Sequence, residues 1–162
     1  AKNKEEKTNV MRVLEQKKIA YTAHTYPHEE GMAVDGVTVA KSMGFDPAIV
    51  FKTLVARGAS KQYYVFDVPV AENLDLKKAA KAVGEKSIEM IHQKELLPLT
   101  GYVHGGCSPV GMKKLFPTVF HSSAENLAAM IVSAGKIGYQ VELAPHDLAA
   151  LVRAKFADII VE

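Results

Sequence analysis

Residues 49–57, IVFKTLVAR, set one cation, Lys52, in the middle of an otherwise apolar, strand-forming run. Read with period two, Val50, Lys52, Leu54 and Ala56 share one face while Phe51, Thr53 and Val55 share the other, and each face carries apolar surface. A lysine on such a strand has three outlets. It snorkels to the edge, pairs with an acid, or lines a cavity in which burial depresses its pKa and its charge acts on a ligand. The third outlet gains weight from residues 100–114, TGYVHGGCSPVGMKK, whose small residues and proline suit a backbone pressed against a ligand.

Working outward, 58–61 (GASK) reads as a hairpin turn and 62–70 (QYYVFDVPV) as the returning antiparallel strand, which brings Asp67 toward Lys52. Upstream, 19–26 (IAYTAHTY) alternates as a strand that Pro27 ends, leaving Tyr26 at its tip. The loop HEEGMAVDG follows, then a short helix over 37–43 closed by Gly44. Before it, Asn9 is expected to cap a helix carrying Val10, Val13, Leu14 and Lys17. Downstream, Asp75 caps LKKAAKAV and Gly84 closes it; a short strand SIEMI, a short helix HQKELL and a strand TVFHS come next. The last third reads as a helix near 124–129, strands MIVSA and YQVELA around a GKIG turn, a helix over 145–154 and a strand DIIV. Hairpin pairs mixed with helix-connected pairs imply an α/β fold in the broad sense, a mixed sheet with helices against it.

At 162 residues and 48% hydrophobic composition the chain suits one core, a single domain over 10–162 behind a flexible, charged lead-in, AKNKEEKTN, over 1–9. The solitary Cys107 excludes an internal disulfide and suits a reducing compartment, so a cytoplasmic location is expected. No apolar run is long enough to span a bilayer. A net charge of +2 is too small for wrapping duplex nucleic acid through charge alone, while a local phosphate contact stays open.

Among chemical motifs, His24 and His28 have the spacing of a helical metal pair, but in extended chain four residues separate side chains by roughly 13 Å. Cys107 with His104 or His121 offers a thiolate and base, without any local nucleophile motif. Ser108 lacks the GxSxG setting of a serine hydrolase, and the glycines before it lack the lysine and hydroxyl of a P-loop.

Taken together, FKTLV, VPVAENLDLKKAAKAVG, TGYVHGGCSPVGMKK, MIVSAGKIGYQVEL and LVRAKFADI resemble, in order and over nearly the whole chain after Val10, the YbaK/EbsC family. These are free-standing aminoacyl-tRNA deacylases similar to the editing domain of prolyl-tRNA synthetase. The resemblance implies a mixed sheet curled around a pocket, no metal or cofactor, tRNA for proline as substrate carrier and a transient complex with prolyl-tRNA synthetase. It implies that Lys52 is the essential lysine, that Gly105, Gly106, Cys107, Ser108 and Pro109 form a GxxxP loop at the aminoacyl end, and that Tyr26 is a pocket tyrosine. Thr53, Gly135 and Gln140 join the expected substrate-binding set. Where some members place an aromatic after the tyrosine, this chain has Met32 and Val34 around Asp35, so the preferred amino acid stays open between cysteine and alanine or serine. In the cysteine case the substrate's own thiol attacks its ester, while Lys52 stabilises charge or anchors the terminal adenosine. A module that binds tRNA without turnover stays open as well. Lys77, Lys78, Lys81, Lys113 and Lys114 are candidate contacts to the tRNA backbone, and Asp67, Glu89 and Glu142 are candidate partners for Lys52.

Overall fold

The structure is a computed structural model and describes residues 7–162. Most of the expected lead-in therefore lies outside the described residues. Within them, Thr8 rather than Asn9 caps helix α1 (Asn9–Gln16), its hydroxyl accepting from the Met11 N–H at 3.3 Å. The helix buries Val10, Met11 and Leu14.

The strands are β1 (Thr22–Thr25), β2 (Phe51–Gly58), β3 (Tyr63–Pro69), β4 (Ile88–Met90), β5 (Thr118–His121), β6 (Met130–Lys136), β7 (Tyr139–Leu143) and β8 (Lys155–Ala157). The mixed α/β architecture expected from the sequence is present, and its strands divide into two sheets. One is antiparallel, in the order β1-β7-β6; the other runs β4-β2-β3-β5-β8, with β2 antiparallel to β3 and β4, and β5 parallel to β3 and β8. A parallel bridge between Val50 and Ile131 joins the two sheets at the entry to β2.

Alternation along the hairpin divides the core. Ala56, Tyr64, Phe66 and Val68 pack toward helix α3 (Leu76–Val83), where Ala79 and Ala80 leave room for the aromatic rings. Val55 and Val65 pack on the opposite face with Leu96, Cys107 and Phe116, under helix α4 (Gln93–Thr100) and the glycine-rich segment that follows it. Phe51 and Phe120 enter a third cluster with α1, β6, β7 and helix α5 (Pro145–Val152). Helix α2 (Gly36–Met43) covers the Val50–Ile131 junction with Ala40, and Asp35 caps it.

Three further local expectations change. Residues 124–129 are not a helix; a short 3-10 turn occupies Ser122–Asn126 and the chain is extended at Leu127. The last strand lies over Lys155–Ala157 instead of DIIV, because beyond it the backbone turns to meet the approach to α3: Asp75 N–H bonds the Ile159 carbonyl at 2.8 Å and Val161 N–H bonds Asn73 at 2.9 Å. The helix begun at HQKELL runs on through Pro98 to Thr100, whose hydroxyl donates to the Leu96 carbonyl at 2.7 Å.

Phe66 is fully buried at the centre of this arrangement. Phe66→Ala is expected to lower the unfolding free energy by about 3–5 kcal/mol in chemical denaturation, the cost of an aromatic-sized void that the flanking strands cannot close.

Candidate active site

The register of β2 opens an edge. The Val50 carbonyl accepts from Val70 N–H at 2.8 Å, so the backbone groups of even-numbered residues in β2 face β3, while those of odd-numbered residues face away, as Val55 shows by accepting from Ile91 N–H. On that outer side β6 pairs only at Val50, and β4 pairs only from Ala56 onward. Between them, at Thr53, a cavity of about 310 Å³ adjoins the strand.

Of the site residues named from the sequence, Tyr26, Val34, Lys52, Thr53, His104, Gly105, Cys107 and Gln140 line this cavity, while His121 does not. Gly106, Ser108, Pro109 and Gly135 do not; they shape the loops around it. A Cβ on Gly106 would meet the backbone N of Ile137 at 3.1 Å, so its bare backbone lies against the β6–β7 turn. The buried Ser108 hydroxyl accepts from Val110 N–H at 3.2 Å, and Pro109 is buried beside it. Gly135 faces Tyr102 and Val10. Gly105 combines φ +89° with a site where a Cβ would come within 2.7 Å of Ala33, so the glycine-rich loop and the loop before α2 touch across the mouth of the cavity.

Lys52 is partly exposed, and its pKa is held below the ordinary lysine value by burial, with the charge of Glu72 pulling the other way. None of the three expected partners serves it. Glu89 pairs with Arg57 at 3.1 Å near the far end of β2, and Glu142 meets His24 at 2.7 Å on the other sheet. Asp67 stands opposite Thr53 in the ladder, while Lys52 stands opposite Val68, so Asp67 and Lys52 leave the hairpin on opposite faces. The ammonium group is thus left available to the cavity.

Asp67 is fully buried, and the Thr53 hydroxyl donates to its Oδ1 at 2.5 Å while Oδ2 has no hydrogen-bond partner among the described residues. Burial pushes this carboxyl up to about 7, against the lowering effect of the Thr53 hydrogen bond. Burial, with a smaller contribution from Asp67, raises the Cys107 thiol to about 12, so it is not a thiolate at neutral pH. Gln140 is 6% exposed, and its Oε1 is a second buried acceptor without a partner among the described residues.

Leu96 and Ser133 also line the cavity, and the sequence reading gave neither a site role; Asp35, named there for specificity, lines it too. Ser133 stands opposite Gln140 in the β6–β7 ladder, a relation the GKIG turn makes readable once Gln140 is chosen. Asp35 combines its place in the cavity wall with capping; the Thr38 hydroxyl and N–H hold its carboxyl below the usual range.

The basic residues are less uniform than their sequence suggests. Lys78 is committed to Asp158, the Ile160 carbonyl and Glu162, so it is not a free phosphate contact. Lys113 donates to the Pro98 carbonyl at 3.3 Å, and Lys114 lies over the Phe116 ring. Lys77 and Lys81 border a groove with Lys86. His28 Nδ1 lies 3.0 Å from the Tyr26 carbonyl, and among the described residues no group of His, Cys, Asp and Glu is gathered for a metal.

Comparison with known proteins places this chain in a family. Residues 28–151 match the sequence model of the aminoacyl-tRNA editing domain. EbsC of Enterococcus faecalis (strain ATCC 700802 / V583), named as a candidate Cys-tRNA(Pro)/Cys-tRNA(Cys) deacylase, is 45% identical over 158 residues, spanning 98% of this chain and 96% of that protein. Among solved structures, hypothetical protein APE2540 superposes with a TM-score of 0.84 at 18% identity, over 95% of this chain and 100% of the other. A candidate trans-editing enzyme for prolyl tRNA synthetase gives 0.80 at 24% identity, over 98% and 100%. The two structures share the fold, and the family model together with the EbsC match establishes that this chain belongs to the aminoacyl-tRNA editing domain family.

Proposed function

We propose that the chain is a trans-acting deacylase that hydrolyses Cys-tRNA(Pro), with Lys52 and the Gly105–Pro109 loop holding the aminoacyl ester. The observation that carries this reading is the Lys52 ammonium, partly buried and, among the described residues, without an ion-pair partner at the cavity beside the open edge of β2. An aminoacyl ester is already activated, so its cleavage needs orientation and charge stabilisation more than a protein nucleophile. Orientation contributes up to roughly 7–11 kcal/mol, and one well-placed charge donor roughly 2.7–4 kcal/mol. Cys107 is a poor nucleophile because its thiol is neutral; the substrate's own cysteinyl thiol attacks the ester carbonyl, the ribose oxygen of the tRNA leaves and takes up the proton, and water opens the resulting thiolactone to free cysteine.

The cavity of about 310 Å³ has room for an aminoacyl group, and its size alone does not separate a seryl from a cysteinyl side chain. Serine is therefore the second substrate to test. Kinship with the candidate trans-editing enzyme supports a transient complex with prolyl-tRNA synthetase, and the translational substrate supports a cytoplasmic location. Within the described residues no helix is long and apolar enough to cross a membrane. Lys77 and Lys81 are the basic residues best placed to add phosphate contacts, which would make tRNA affinity fall with salt.

Release of labelled cysteine from preformed Cys-tRNA(Pro) tests the assignment. Lys52→Ala is expected to slow release by roughly 100–1,000-fold, and Lys52→Arg also fails because the guanidinium fork does not reproduce a compact ammonium. Cys107→Ala continues to turn over where Lys52→Ala does not; loss of turnover in Cys107→Ala with retention in Lys52→Ala would reverse the assignment. Gly105→Ala is expected to abolish release while leaving the cooperative unfolding transition in place, since strain and the Ala33 contact displace only the loop.

A further inference from the structure

A carboxyl group sealed behind the wall of a binding cavity is expensive to bury, and one oxygen of Asp67 has no hydrogen-bond partner among the described residues. The other oxygen takes the proton of Thr53, a residue whose side chain borders the cavity. A threonine hydroxyl has one proton and two lone pairs. With that proton held on Asp67 at 2.5 Å, within the range of a charge-assisted bond, the hydroxyl has only lone pairs left to offer a ligand.

We propose that Asp67 is a positioning residue that fixes the Thr53 hydroxyl as a hydrogen-bond acceptor toward the cavity, and that the ligand group it serves is the α-ammonium of the aminoacyl ester. The inference rests on the deacylase reading and adds a recognition element to it. An α-ammonium is a cation with three donors, and the cavity answers it with the Thr53 hydroxyl, held as an acceptor by the Asp67 charge behind it. Lys52 does not neutralise that charge, because it leaves the strand from the other face.

The groups around Asp67 keep its effect readable. From β2 it meets Thr53; across β5 it stands opposite Phe120; from the glycine-rich loop it feels Cys107, a neutral thiol. No cationic side chain contributes to its shift, and with burial raising it to about 7 the carboxyl changes charge across neutrality. Below that pH Asp67 carries its own proton, and the threonine is no longer held to one polarity. The stability effect has a definite sign: a carboxyl raised from 3.8 to about 7 on folding contributes fully at pH values below the unfolded value, and that contribution is lost as pH rises to about 7. Asp67→Val, which removes the buried charge, is therefore expected to gain in Tm relative to wild type as pH rises from 4 to 7. That variant should fold.

The test is calorimetric binding of two non-hydrolysable probes, adenosine carrying a 3′-amide-linked cysteinyl group and the same compound lacking the α-amine. Wild type, Asp67→Val, Thr53→Val and the double variant are compared. Asp67→Val is expected to weaken the amine-bearing probe about tenfold, as for one lost hydrogen bond to a charged group, and to leave the des-amino probe within about twofold. In the Thr53→Val background Asp67→Val adds nothing further, since its action passes through that hydroxyl. With each affinity referred to the ammonium form of the probe through its separately titrated amine, the wild-type to Asp67→Val ratio rises between pH 6 and 8. Equal weakening of both probes, an undiminished Asp67 effect without the Thr53 hydroxyl, or a flat ratio across this pH range overturns the inference while leaving the deacylase reading intact. A wild type that binds neither probe and releases no cysteine from Cys-tRNA overturns both.

Discussion

Strand β2 serves two sheets. Its entry is bridged to β6, its exit is paired with β4, and its inner side is occupied by β3 throughout. The two outer partners belong to different sheets and diverge, so neither reaches the middle of the strand. That interval is where the cavity forms, and most features of the site follow from it.

An ordinary strand in a covered sheet presents one face to each layer. At the interrupted edge both faces of β2 border the same space, which is why Lys52 and Thr53, adjacent in sequence and opposite in orientation, line a single cavity. One face supplies a cation and the other a hydroxyl backed by an acid. The glycine-rich segment then closes the opening, and its glycines are needed because it lies against backbone on the β6–β7 side and against Ala33 on the other. Side chains at those glycines would fill the contacts that hold the cavity in shape. Pro109 and Ser108 act at one remove, through burial and a local hydrogen bond, without facing a ligand themselves.

The hairpin of β2 and β3 was legible in the sequence because period-two patterning flanks a turn, and α3 because Asp75 and Gly84 bracket an amphipathic run. Lys52 stood out for the same reason, as a charge where the pattern calls for an apolar residue. Its electrostatic partner did not. Glu72 follows the returning strand, and its effect on Lys52 depends on the path the chain takes after Pro69, which alternation does not encode. The division into two sheets was equally hidden, because one bridge between Val50 and Ile131, eighty-one positions apart, decides it. Asp67 was visible as an acid in an apolar strand, but its partner followed only from the register, which moved it from the lysine face to the threonine face.

The lone cysteine also bears on how the cavity survives its surroundings. Oxidants act on thiolates that they can reach, and Cys107 is 7% exposed with its proton held by a pKa of about 12. A cavity wall built with this sulfur is redox-silent at neutral pH. Peroxide or disulfide stress that converts free cysteine to cystine leaves the wall chemically unchanged, and a ligand bearing a thiol can sit beside Cys107 without becoming tethered to it through a mixed disulfide.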